Sequence, residues 1–291
     1  MHREDKVKKI KKTSEFKTFL RRLRKNKPAM FGIIIFFTLV VLAILSPVIS
    51  PYGYEQIDMT SKLQGPSAAH LFGTDQLGRD LLSRILYGGR YSLSLGILSI
   101  GLALLISIFL GSFSGFFGGW VDSLIMRILD VIQSIPSILI AIIMSAVLGS
   151  GFVMTIIALA IPCVSGYARL LRAQFLQISQ VEYVEAATSL SCSKFKIMMK
   201  HILPNAWAPL IVSATMGVAT TVLNASALSF IGLGIQSPTP EWGAMLSASR
   251  DYMRDYPYMV IIPGIFIMIT VLGLNMFGDG VRDALDPKLK D

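Results

Sequence analysis

Six long apolar stretches constrain the fold of this chain more than any other feature of its sequence. They lie at about 29–50, 92–117, 123–148, 152–172, 207–231 and 257–278. At a helical rise of 1.5 Å per residue, about 20 apolar residues cross the roughly 30 Å hydrocarbon core of a bilayer. Only 15% of the 291 residues are charged, whereas soluble domains carry about 25%. The sequence therefore predicts an all-α, polytopic transmembrane helical bundle with about six spans.

The distribution of positive charge predicts how this bundle is oriented. Lys and Arg crowd residues 1–28, directly before the first span. Cytoplasmic segments beside membrane spans carry an excess of these residues, so both termini are expected in the cytoplasm. A nucleic-acid-binding arm is the alternative, but the neighbouring apolar span favours an anchor on anionic lipid headgroups. The predicted organisation is a basic segment 1–28, a first span 29–50, an extracytoplasmic segment 51–91, a core membrane domain 92–278 and a cytoplasmic tail 279–291.

A charged, amphipathic hairpin is predicted at 179–204, between the fourth and fifth spans on the cytoplasmic side. Ser179 and Glu182 have the S-x-x-E spacing of a capping box, which predicts where its first helix begins. The run Ser191-Cys192-Ser193 favours a turn. Pro204 disfavours the helical conformation at Leu203, so it is expected to end the unit.

The composition of the first hairpin helix indicates contact with another protein. Ala186 and Ala187 follow Glu185 and leave room for a partner backbone to approach closely. The alternative is an amphipathic helix lying on the lipid headgroups. Small side chains fit that alternative poorly, because they offer little apolar area to bury in lipid.

The extracytoplasmic segment contains a second distinctive run, Phe72-Gly73-Thr74-Asp75-Gln76-Leu77-Gly78-Arg79-Asp80. Its glycines predict turns. Its charged residues could form a local cluster that pins the segment as a structural cap, and direct contact with a substrate is the alternative. The candidate residues of this motif are Gly73, Thr74, Asp75, Gly78, Arg79 and Asp80.

Several polar residues lie at or near membrane depth, where charge is costly and usually faces protein or water. Arg127 and Asp130 are three residues apart on one helix, so a mutual ion pair is expected. The alternative for Asp130, and the interpretation considered for Asn224 and Asn275, is a place along a translocation pathway.

The sequence gives no sign of catalytic or cofactor chemistry in this chain. It has no G-x-x-x-x-G-K-[ST] phosphate loop, so it is not expected to bind ATP by that route. His2, His70 and His201 are scattered and predict no metal site. We therefore expect no bound cofactor and no enzymatic activity.

The hairpin resembles the EAA loop of ABC importer permeases. The family pattern is Glu-Ala-Ala, three residues, Gly, nine residues, an apolar residue, one more, and Leu-Pro. Glu185-Ala186-Ala187 and Leu203-Pro204 match it at the correct spacing. Ser191 replaces the glycine and His201 the apolar residue. Ser191 either avoids a positive φ angle or adopts one with some strain.

Further runs resemble the peptide/nickel branch of these permeases, in particular its second permease subunit. They are the 72–80 motif, Phe230-Ile231-Gly232-Leu233-Gly234, Glu241-Trp242-Gly243 and the closing Arg282-Asp283-Ala284-Leu285-Asp286-Pro287. The resemblance implies the type I ABC importer permease fold in a prokaryotic cell membrane. It implies import of peptides, with nickel or a metal chelate as the alternative substrate. An ion-coupled secondary carrier is a further alternative.

The resemblance also implies the partners and the coupling residues. The partners would be a homologous permease subunit in a heterodimer, two cytoplasmic ATPases that use ATP and Mg, and an extracytoplasmic substrate-binding protein. Coupling to the ATPase would run through Glu185, Ala186, Ala187, Ser191, Leu203 and Pro204.

Overall fold

The computed structural model describes residues 15–285. The first 14 residues of the predicted basic segment and the last six residues of the predicted tail therefore lie outside the described residues. The described part is helical, with one isolated bridge between Thr74 and Asp80. Its α-helices are α1 (Glu15–Lys25), α2 (Lys27–Ile49), α3 (Leu81–Phe117), α4 (Gly119–Gln133), α5 (Ser137–Leu148), α6 (Phe152–Ile178), α7 (Glu182–Ser189), α8 (Lys194–Lys196), α9 (Trp207–Phe230), α10 (Trp242–Ala248) and α11 (Tyr258–Leu285).

Five of these helices, namely α2, α3, α6, α9 and α11, are long and apolar enough to cross a membrane. The pair α4–α5 makes a sixth span if its two halves are counted together. The fold class predicted from the apolar stretches is therefore confirmed. The helices pack around α3 and α6, which bury the most extensive helix–helix interface in the described chain.

The third span is broken, whereas the sequence suggested one helix over 123–148. The axes of α4 and α5 meet at 88°. Pro136 lies at the break, where it lacks a backbone N–H and disfavours the helical conformation at Ile135. The preceding turn closes instead through Ser134, whose backbone N–H donates to the Asp130 carbonyl at 2.9 Å.

The second span begins at Leu81 rather than at 92, because residues 81–91 and the predicted span form one helix of 37 residues. Asp80 caps its first turn, with the carboxylate accepting from the Ser83 backbone N–H at 2.7 Å. A capped start of this kind satisfies one of the unpaired amides of the first turn. The segment before Leu81 is therefore joined directly to a helix of the membrane bundle.

Glycines let α3 and α6 approach each other closely. A Cβ atom added to Gly111 would lie 2.6 Å from the carbonyl oxygen of Ala168, and one added to Gly115 would lie 2.6 Å from Cβ of Phe175. Small residues at such positions allow backbone-to-backbone packing between membrane helices. This contact fixes the end of α6 from which the hairpin begins.

Candidate functional site

The predicted hairpin is present and joins α6 directly to α9. Its first arm is α7, and its second arm is α8 followed by a π-helical stretch, Ile197–Ile202. The inner face of both arms packs into one apolar core with the last turns of α6. This core includes Leu171, Phe175, Val184, Ala187, Ile197, Met198 and Ile202. The hairpin is therefore held against α6 by shared packing of apolar side chains.

The capping box predicted at the start of the hairpin is absent. The N-cap of α7 is Val181, without a side-chain hydrogen bond. Ser179 instead ends α6, and its hydroxyl donates to the Leu176 carbonyl at 2.9 Å. The prediction was wrong because α6 continues to Ile178, so the serine serves the unpaired carbonyls of that helix.

Pro204 does not end the unit as predicted. Leu203 is helical, with φ −54° and ψ −44°, and a 3₁₀ turn runs over Leu203–Asn205. Proline is tolerated in the first turn of a helical segment because its missing N–H has no partner to lose there. Packing of the buried Leu203 outweighs the local bias against helix before proline. The hairpin thus continues into α9 with little break in helical conformation.

Ser191 adopts the left-handed conformation that the family pattern assigns to glycine, with φ +54°. Its backbone N–H donates to the Thr188 carbonyl at 3.0 Å, and the Cys192 N–H donates to the Ala187 carbonyl at 3.1 Å. These two bonds form a Schellman motif that ends α7. The sequence left open whether Ser191 avoids a positive φ angle or adopts one with some strain, and the structure shows the second.

The outward face of the hairpin combines a carboxylate with unburied apolar side chains. Glu185 and Ala186 are exposed, and the tip presents Leu190 and Phe195, which are 80% and 68% exposed. Ala187 points the other way and is only 6% exposed. Clustered exposed apolar residues beside polar ones mark protein-interaction surfaces. Glu185 and Ala186 are therefore available to a partner, whereas Ala187 serves the core of this chain.

A polar brace, which the sequence analysis did not identify, joins the two arms. Asn205 donates through Nδ2 to the His201 carbonyl at 2.7 Å and to the Tyr183 hydroxyl at 3.1 Å. The Tyr183 hydroxyl in turn donates to the same His201 carbonyl at 3.3 Å. No spacing rule links residues 22 positions apart, so only the folded hairpin reveals this contact.

The 72–80 motif forms a buried charge network. Asp75 and Arg79 form the predicted local ion pair, 2.6 Å between Oδ2 and Nε, and Arg84 lies 3.7 Å from the same oxygen. Asp80 pairs instead with His70, 3.0 Å between Oδ1 and Nδ1. Each of these five side chains is at least nine-tenths buried, which favours a structural cap over direct contact with substrate.

Backbone geometry and the threonine complete this cap. Gly73 and Gly78 have φ angles of +78° and +73°, which glycine adopts without a steric penalty. The Thr74 hydroxyl donates to the Ser61 carbonyl and accepts from the Gln64 N–H at 2.9 Å. The motif therefore folds the 58–80 segment against the start of α3.

Glu241, in the loop between α9 and α10, is a fully buried carboxylate in this region. It accepts from the Ser92 hydroxyl at 3.0 Å and from the Ala244 backbone N–H at 2.8 Å. Burial raises the pKa of Glu241, and its hydrogen bonds partly oppose that rise. The carboxylate joins α3 to the start of α10.

The ion pair predicted between Arg127 and Asp130 does not form. Asp130 pairs with Arg169 of α6, because α6 lies alongside α4 and offers a closer partner than the next turn does. A second pair joins Asp122 to Arg172, with 2.5 Å between Nη2 and Oδ2.

Asn224 on α9 and Asn275 on α11, which were considered for the translocation pathway, are partly exposed. Within residues 15–285 neither side chain has a hydrogen-bond partner.

Comparison with known proteins places this geometry in context. The family described as binding-protein-dependent transport system inner membrane component matches residues 107–291. The N-terminal TM domain of oligopeptide transport permease C matches residues 14–66.

Relatives of known function match nearly the whole chain. A dipeptide transport system permease protein of Alkalihalophilus pseudofirmus is 44% identical, over 95% of this chain and 91% of its own length. A di/tripeptide transport system permease protein of Pseudomonas aeruginosa is 41% identical, over 96% and 94%. A glutathione transport system permease protein of Escherichia coli is 42% identical, over 94% and 90%.

A solved structure of the MetNI methionine ABC transporter, in an inward-facing conformation, resembles this fold. The TM-score is 0.53 at 20% identity, covering 68% of this chain and 95% of that one. The likeness shows a shared permease fold.

Proposed function

Because the chain belongs to the family of binding-protein-dependent transport system inner membrane components, and is thus a permease of an ABC importer, we propose that it imports peptides and is driven through its 179–204 hairpin. The observation that carries the coupling role is the hairpin itself. It is rigidly packed on α6 inside, and outside it presents a free carboxylate beside exposed apolar residues.

In the proposed coupling, Glu185 anchors the ATPase electrostatically and Ala186 allows its backbone to approach. Ala187, Ser191, Leu203 and Pro204 act on the chain's own side, by holding the shape of the hairpin. ATP-driven closure of the ATPases then moves the hairpin, and the packed core passes this movement to α6 and α9.

The proposed assembly follows from the importer family, whose permeases work with ATPases and a substrate-binding protein. We place two ATPase subunits on the cytoplasmic face and a homologous permease beside this chain as a heterodimer. The binding protein lies on the outer face. ATP and Mg are used by the ATPases, and this chain itself catalyses no reaction. Both termini lie in the cytoplasm of the prokaryotic cell whose inner membrane holds the complex.

The names of the relatives support peptides as the substrate class. They transport dipeptides, tripeptides or glutathione, which favours peptide import over the nickel or metal-chelate alternative. An ion-coupled carrier is disfavoured by membership of an ABC importer family.

The substitution Glu185→Lys tests the coupling. Within residues 15–285 the Glu185 carboxylate has no hydrogen-bond or ion-pair partner, so the variant should insert and fold normally. Breaking a charge pair at an interface costs about 2 kcal/mol or more, so trialanine uptake into proteoliposomes should fall about thirtyfold or more. Co-purification with the ATPase should weaken as well.

The matched control is Asp255→Lys, the same reversal of charge at an exposed acidic residue of the loop before α11, which should transport normally. Wild-type uptake by Glu185→Lys would contradict the coupling role. Absence of peptide uptake by the wild-type assembly would contradict the substrate class.

A further inference from the structure

Five charged side chains line an open cleft between α4 and α6. The cleft belongs neither to the 179–204 hairpin nor to the cap formed by the 72–80 motif. The cleft has a volume of about 650 Å³, within the range of pockets that hold small molecules. Its lining consists of Asp122, Ser123, Met126, Arg127, Asp130, Arg169 and Arg172.

The two aspartates of the cleft are already engaged by arginines. Asp122 accepts from Arg172 through both carboxylate oxygens, at 2.5 Å each, and from the Ser114 hydroxyl at 2.5 Å. Asp130 accepts from Nη2 of Arg169. Both carboxylates are therefore paired, and they hold α4 against α6.

The donors of the cleft are not all used. Arg127 is exposed and has no partner anywhere in the part of the chain that the structure describes. Nε of Arg169 is buried without a hydrogen-bond partner. A buried donor without an acceptor costs free energy. With three arginines against two aspartates, the cleft has an excess of one positive charge and unused N–H groups for an anionic acceptor.

The cleft lies on two helices that belong to candidate membrane spans. α6 is a span of its own, and α4 is half of the bent pair that makes the sixth candidate span. Charged side chains within membrane spans usually face protein or a water-filled cavity. Arg169 and Arg172 lie on the last turns of α6, directly before the hairpin, so the cleft adjoins the hairpin.

From these observations we infer that the cleft is a transient binding site for the C-terminal carboxylate of a peptide on its way to the cytoplasm. Arg127 is the principal donor and Nε of Arg169 is the second. Guanidinium groups bind carboxylates through paired, charge-assisted hydrogen bonds. The inference rests on the proposed peptide-import function and adds a recognition site on the permease itself.

The test is a binding measurement on the purified assembly of this chain with its permease and ATPase partners, without the binding protein. The probes are trialanine and its C-terminal amide, which differ in the carboxylate alone. The wild-type assembly should bind trialanine about tenfold more tightly, the effect of one charge-assisted hydrogen bond. Arg127→Gln should remove most of this preference, since only the second donor remains, and Arg127→Lys should retain most of it.

A control and a separate uptake assay make the outcome unambiguous. Arg254→Gln removes an exposed arginine from the loop before α11 and should leave the preference unchanged. Equal affinity of the wild type for both probes, or a preference undiminished by Arg127→Gln, would overturn the inference. Displacement of trialanine by phosphatidylglycerol would assign the cleft to a lipid headgroup and also overturn it. Failure of the wild type to import trialanine in the presence of its binding protein would instead overturn the proposed function.

Discussion

The left-handed serine at the turn of the 179–204 hairpin gives a quantitative prediction about the stability of that turn. Ser191 has φ +54°, a conformation that costs a residue with a Cβ atom about 1–2 kcal/mol. Ser191→Gly removes that strain but gives the unfolded chain more freedom, which costs about 0.4–1 kcal/mol. The difference predicts a hairpin more stable by about 0.5–1 kcal/mol.

Amide hydrogen exchange of the assembled transporter measures this local stability. The Ser191 and Cys192 amides form the two Schellman bonds, so their exchange reports opening of the turn. The gain predicted for Ser191→Gly corresponds to exchange about two- to fivefold slower at these amides. Exchange in α9 should not change, because the substitution relieves strain only at the turn.

Two further substitutions distinguish the effect of backbone strain from the effect of losing the serine hydroxyl. Ser191→Ala keeps a Cβ atom in the left-handed region, so its exchange should match the wild type. Ser191→Pro fixes φ near −65° and removes the N–H that bonds to the Thr188 carbonyl, so exchange should accelerate and transport should fail. If Ser191→Ala slowed exchange as much as Ser191→Gly, or if Ser191→Gly accelerated it, the strain argument would be refuted.

Two other predictions concern the bundle and the outer cap. Gly111→Ala places a Cβ atom against the Ala168 backbone. Overpacking of this kind lowers the free energy of unfolding by about 1–3 kcal/mol. The thermal denaturation midpoint of the purified chain should therefore drop. Gly101→Ala, with open space around the glycine, should not lower it, and equal midpoints for both variants would contradict the close α3–α6 contact. Burial raises the pKa of Glu241, so the folded state holds a proton more tightly than the unfolded state. Its contribution to stability is therefore fully present below the unfolded carboxyl pKa of about 4.3 and declines as pH rises above that value. Glu241→Gln should flatten this part of the stability–pH curve, and an unchanged curve would show that another group is responsible.

Much of the architecture was predictable because it depends on local composition. Apolar stretches of about 20 residues have few stable conformations in a bilayer other than helices, so span number and order could be read directly. The hairpin was predictable for a similar reason, since a charged amphipathic segment between spans must lie outside the membrane. The spacing from Glu185 to Pro204 then identified the importer family, which the relatives confirmed.

Errors arose where a residue had several possible local partners. Ser179 could cap the start of α7 or the end of α6, and its spacing does not reveal that α6 runs to Ile178. Arg127 and Asp130 are neighbours on one helix, yet in the folded chain Asp130 forms its ion pair with Arg169. Proline at position 136 disfavours a continuous helix, but the 88° angle between α4 and α5 depends on how both halves pack.

The sequence by itself determined the environment of each segment, because transfer between water and lipid depends on composition alone. Only the tertiary structure decided which polar groups meet, since hydrogen bonds and ion pairs require contact within a few ångströms. That contact is set by helix packing over the whole bundle. The brace from Tyr183 to Asn205 and the unpaired Arg127 in its cleft therefore became visible only in the folded chain.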